Sequence, residues 1–142
     1  MRRLLPLNPD AALLILRVVL GVIMIYHGWP KVTGLGGVIE GFTQMGVPLP
    51  AVAAVFATVA EFVGGLLMLV GAFTDIAGLL FAIDMLGAIV LVHAKNGFAV
   101  NENGFEWPLA LLSMSLAIAL AGPGRYAVQP SGGTAGQRAR SF

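Results

Sequence analysis

Four apolar runs separated by short polar stretches divide the chain: residues 11–29, 51–73, 76–93 and 107–121. A helix needs about 20 apolar residues to cross a bilayer. The first three runs meet that length. The fourth, of roughly 15 residues, suits a start slightly earlier or a locally thinner bilayer. Helix signals bracket the runs. Asn8 is placed to cap the first helix, with Pro9 in its first turn. Gly28 and Pro30 are expected to end it near Trp29. Pro108 falls in the first turn of the fourth run, and Gly122-Pro123-Gly124 closes it. Residues 32–50 form a glycine-rich connection in which 38–45 can make a short amphipathic helix lying in the interface. Residues 94–106 form a polar loop with Asn-Gly turn signals, and a small hairpin is possible there.

Polar side chains interrupt this pattern at a few positions. Arg17, Glu61 and Asp84 each stand inside an apolar run. A charge at the centre of a membrane helix costs about 2.5 kcal/mol or more, so such residues face the bundle interior and find partners. At ~1.5 Å of rise per residue, Arg17 lies ~9 Å from its end of the bundle, Asp84 ~12 Å and Glu61 ~18 Å. An Arg17–Glu61–Asp84 network is therefore expected. Gly21, Met24 and Gly28 share the face of Arg17, and Gly65 and Met68 that of Glu61. Small residues there let another helix approach closely. His27, Lys31, His93 and Glu106 fall at the other ends of the runs and form a second, outer polar cluster, a candidate ligand site or proton relay to a reduced carrier. Asp84 and His93, nine residues apart, lie on opposite helix faces unless the third run unwinds near its end. The plainest role for the first group is a salt-bridge network fixing helix register. For the histidines it is interfacial hydrogen bonding, and for Glu106 the anchoring of a loop.

Composition agrees with the runs. Of 142 residues, 58% are hydrophobic and 11% charged, against about 25% charged in soluble domains. The fold class is all-α: an integral membrane four-helix bundle. The net charge of +1 gives no sign of nucleic-acid binding. The sequence has no cysteine, which excludes thiol chemistry and thiolate metal sites in this chain. Two histidines and scattered carboxylates make no metal motif. Arg2 and Arg3 before an apolar run resemble a signal peptide. However, the run is long for one and no small-x-small cleavage site follows, so a retained span is expected.

Four spans place both termini on one side. Arg2, Arg3, Arg125, Arg138 and Arg140 are there, with only Lys31 and Lys95 opposite. The positive-inside rule then puts both termini in the cytoplasm of a bacterial inner membrane. Residues 1–10 read as a cytoplasmic lead, 11–126 as the membrane domain, and 127–142 as a disordered tail.

The order of these residues resembles the DoxX family of small four-helix membrane proteins, related to the DoxD subunit of thiosulfate:quinone oxidoreductase. Arg17-x3-Gly21 and His27-Gly28-x2-Lys31 carry the likeness in the first run, and Glu61-x2-Gly64-Gly65 with Gly71 in the second. Ala88-x4-His93-x3-Gly97-Phe98, Glu106 and Gly122-Pro123-Gly124-Arg125-Tyr126 complete it, so the likeness covers residues 14–126. It departs at Ala127-Val128-Gln129, where family members often have a serine and an acidic residue.

The resemblance implies a membrane protein of redox or sulfur metabolism acting beside a partner protein. Three functions follow. One is an oxidoreductase-associated subunit with no redox centre of its own, binding a quinone or similar lipophilic molecule through His27, Glu61 and His93. Another is a non-enzymatic scaffold or assembly factor for a redox partner. The third is a small carrier of a lipophilic or anionic molecule. The bilayer is the expected surroundings, and self-association into a homo-oligomer is compatible with all three.

Overall fold

A computed structural model of the chain describes residues 4–130. Five helices account for most of it. α1 is Pro9–Thr33, with the Asn8 side chain accepting from the Ala11 amide at 3.0 Å as a cap. α2 is Leu35–Gln44. α3 is Pro50–Val70, with a π turn at Val59–Val63. α4 is Thr74–Asn96, with a π turn at Ile89–His93 and a final 3-10 turn. α5 is Glu106–Ala121. α1, α3 and α4 are long and apolar enough to cross a membrane, while α5 is shorter. No strand occurs among the described residues.

The outward faces are apolar, as a lipid-facing surface requires: Val22, Val52, Val55, Leu79, Ile83 and Leu86 are all exposed. Inside, Leu20 and Met24 of α1, Met68 of α3, Phe81 and Met85 of α4, and Leu111 and Ile118 of α5 form one core. α4 packs along α5, and α1 along the second half of α3. The α1–α3 contact is backbone to backbone. A Cβ on Gly28 would lie 2.6 Å from the Phe62 amide nitrogen, and one on Gly21 3.0 Å from the Gly65 carbonyl. The expected shared face of Arg17, Gly21, Met24 and Gly28 is indeed buried.

Two boundaries differ from expectation. α1 does not stop at Gly28 and Pro30 but runs through the proline to Thr33. Gly28 serves the close approach to α3 instead. Pro30 removes one intrahelical hydrogen bond, while Lys31 Nζ donates to the His27 carbonyl at 3.0 Å and pairs across to α3, holding this last stretch. The segment after α5 is also not a free tail over residues 127–130. Val128 and Gln129 amides donate to the Val70 and Gly71 carbonyls at 3.0 and 3.1 Å, and Gln129 Oε1 accepts from the Phe73 amide at 2.9 Å. These residues strap the α3–α4 turn. The remainder of the expected tail, 131–142, lies outside the described residues. The 94–106 loop closes like a hairpin without strands, through Phe105 and Glu106 amides bonded to the Gly97 and Phe98 carbonyls.

Candidate functional site

The buried charges divide between two ends of the bundle. Arg17 is fully buried, yet neither Glu61 nor Asp84 is its partner. Among the described residues its guanidinium donates only to main-chain carbonyls. Nε bonds Pro123 at 2.9 Å, Nη1 bonds Met68 at 3.1 Å and Leu69 at 3.3 Å, and Nη2 bonds Tyr126. Met68 and Leu69 belong to the last turn of α3, whose carbonyls have no intrahelical donors and carry the negative end of the helix dipole. The expected Arg17–Glu61–Asp84 network is corrected here. Met68 is two helical turns, about 10 Å, along α3 from Glu61. The guanidinium instead makes four hydrogen bonds, to a helix C-terminus and to the segment that leads into the strap.

Glu61 pairs with Lys31, which sequence reasoning had assigned to the outer cluster. Lys31 Nζ is 2.6 Å from Glu61 Oε2, and both side chains are largely buried. The helical continuation of α1 past Pro30 carries Lys31 to this position. Asp84 of α4 stands beside Glu61, with Lys31 also acting on it. Its Oδ2 is buried without a hydrogen-bond partner among the described residues.

His93 joins the same site because of the π turn at Ile89–His93. Nine residues at ~100° each would place it opposite Asp84, but the one extra residue of a π turn leaves an offset of only ~80°. Its Nδ1 lies 2.8 Å from the Asn103 carbonyl. A carbonyl only accepts, so Nδ1 carries the proton and, in the neutral ring, Nε2 is a free acceptor. Glu61 also sits in a π turn, Val59–Val63, and such turns recur at functional sites. Neither π turn has a glycine or proline within it that would announce it.

Glu61 and His93 both border the same two cavities. The larger, of about 420 Å³, lies between α3 and α4 and is walled by Ala53, Phe56 and Ala57 on one side and Ile83, Gly87, Ala88 and Leu91 on the other. Phe42 of α2, with Met45 and Val47 just beyond, covers it. Its polar lining is Lys31, Glu61, Asp84 and His93. The smaller, of about 150 Å³, is bordered by His27, Glu61, His93 and Trp107. The outer cluster therefore assembles in part. Lys31 and His93 turn inward to Glu61 and Asp84, and His27 reaches the smaller cavity from an exposed position. Glu106 stays in the loop, where Oε2 accepts from the Val100 amide at 3.0 Å. It borders neither of these two cavities.

Known proteins similar to this chain include two that are named as inner membrane proteins. "Putative oxidoreductase CatD" of Bacillus subtilis (strain 168) is 39% identical over 74% of this chain and 76% of its own length. "Inner membrane protein YphA" of Escherichia coli (strain K12) is 33% identical over 79% of this chain and 84% of its own. "Inner membrane protein YqjF" of the same organism is also 33% identical, over 84% and 90%. No solved structure matches the chain. The DoxX family model matches residues 12–94, which include Arg17, Lys31, Glu61, Asp84 and His93, and the chain belongs to the DoxX family.

Proposed function

We propose that this chain is a membrane subunit of a redox system, binding a quinone or a similar lipophilic molecule in the cavity between α3 and α4. The observation that carries the reading is the cavity's construction. It is of a size usual for ligand pockets, apolar along most of its wall, and polar only where Lys31, Glu61, Asp84 and His93 meet. An apolar tail suits the wall, and an oxygenated ring suits the polar end. The chain's own groups would orient the head and hold protons near it, while the electron chemistry belongs to the carrier and a partner. The name of the Bacillus subtilis relative supports a redox setting.

In this reading α5 is a fourth span, making a four-helix bundle in the bacterial inner membrane. The arginines near both chain ends favour cytoplasmic termini. The names of the two Escherichia coli relatives support that membrane.

Gly87 provides the test. A Cβ at this position meets nothing within 4 Å, because it points into open space beside the cavity. Gly87→Phe would fill the pocket without straining the helices. Purified protein in lipid nanodiscs should bind a short-tailed benzoquinone or its hydroquinone, and Gly87→Phe should lose that binding at unchanged thermal stability. Binding undiminished in the variant would sink this placement. The scaffold reading rests on the Arg17 clamp, which satisfies main-chain carbonyls and leaves that charge no ligand to hold; it requires partner assembly to survive Gly87→Phe while no quinone binds.

A further inference from the structure

We infer that the cavity between α3 and α4 selects the reduced, hydroxyl-bearing form of its carrier over the oxidised form. This rests on the carrier-binding reading above and concerns which redox state the site prefers.

The argument is an inventory of donors and acceptors at the polar end. Four polar side chains border the cavity: Lys31, Glu61, Asp84 and His93. Lys31 has three N–H groups, of which one goes to Glu61 Oε2 and one to the His27 carbonyl. His93 spends its ring N–H on the Asn103 carbonyl, which leaves Nε2 an acceptor. Asp84 and Glu61 are carboxyls side by side, and Asp84 Oδ2 is buried without a partner. The site therefore offers several acceptors to one spare donor.

A hydroquinone and a quinone of the same skeleton differ at this point. The hydroquinone brings O–H donors to a cavity end where Asp84 and His93 Nε2 stand as acceptors. The quinone brings only carbonyl oxygens, which would face lone pairs and leave the buried acceptors unsatisfied. A buried acceptor without a donor is costly, and hydrogen bonds to charged groups are the stronger kind. Shape and apolar contact are nearly the same for both, so the hydrogen bonds decide.

The test uses three probes on the full chain in phosphatidylcholine nanodiscs, whose headgroup has no hydrogen-bond donor to compete. The probes are a short-tailed benzoquinone, its hydroquinone kept reduced under anaerobic conditions, and the dimethyl ether of that hydroquinone. The ether keeps ring and tail but has no O–H. The hydroquinone should bind about tenfold or more tightly than either of the others. Asp84→Asn, which puts an amide donor where an acceptor stood, should abolish that preference. Quinone or ether binding within tenfold of the hydroquinone in the unmodified chain overturns the selectivity while leaving the carrier site standing. Binding of none of the three overturns the carrier site and the selectivity with it.

Discussion

Arg17→Lys isolates what the buried guanidinium contributes. The charge remains, but three nitrogens in a rigid fork become one. The fork joins two segments: Met68 and Leu69 at the end of α3, and Pro123 and Tyr126 just before the strap. An ammonium on a flexible stem can satisfy one segment at a time. Losing two charge-assisted hydrogen bonds at about 1.5 kcal/mol each gives about 3 kcal/mol of destabilisation. The loss should be local as well as global. Val128 and Gln129 amides, bonded to the Val70 and Gly71 carbonyls, should lose hydrogen-exchange protection, whereas amides in the middle of α4 and α5 should keep theirs. Thermal unfolding in mild detergent gives the first number and exchange mass spectrometry the second. A variant within about 0.5 kcal/mol of the parent, a size usual for surface substitutions, with an equally protected strap, would refute the clamp.

Other substitutions address the rest of the frame. Gly28→Ala would set a methyl 2.6 Å from the Phe62 amide nitrogen; it should cost about 1–3 kcal/mol, as overpacking does, seen as a lower unfolding temperature. Lys31→Met leaves Glu61 buried and unpaired, which should cost about 3 kcal/mol. Adding Glu61→Gln should recover much of that loss in a double-mutant cycle. Gln129→Ala removes the side-chain acceptor of the Phe73 amide and should cost about 1 kcal/mol with exchange at Phe73 accelerated. An alkaline phosphatase fused after Tyr126 should be inactive if both termini are cytoplasmic, and an active fusion would reverse the topology.

The apolar runs predicted the helices closely, and the small residues on the Arg17 face predicted the α1–α3 contact. The partners of the charges were harder to read, for physical reasons. Arg17 could be placed in depth, but main-chain carbonyls are the same at every residue, so a helix C-terminus is invisible as an acceptor in a list of side chains. Lys31 looked like an end-of-helix residue because Pro30 and Gly28 resemble a stop. The proline's lost hydrogen bond is small beside an ion pair with a buried Glu61. His93 was assigned to the far face of its helix because a 3.6-residue period was assumed, and no residue type within 89–93 marks the π turn that brings it round. The strap was missed because Val128 and Gln129 act through their backbone amides and one side-chain amide, without any apolar pattern.

The close contacts of the fold are unevenly distributed, and the cavity lies where they are fewest. α1 and α3 touch backbone to backbone at Gly21 and Gly28, the Ile25 side chain packs on Gly65, and Arg17 and Lys31 pin the same pair at two levels. α4 and α5 meet just as tightly at Gly78, where a Cβ would lie 2.7 Å from the Ser115 carbonyl. Between these two pairs, α3 meets α4 through the Phe81 ring over Gly64, and beyond it both helices widen into π turns. The molecule is thus two stapled halves with a seam. The helices are held most rigidly within the two pairs, and a side chain at the seam, such as Phe81, can shift where backbone cannot.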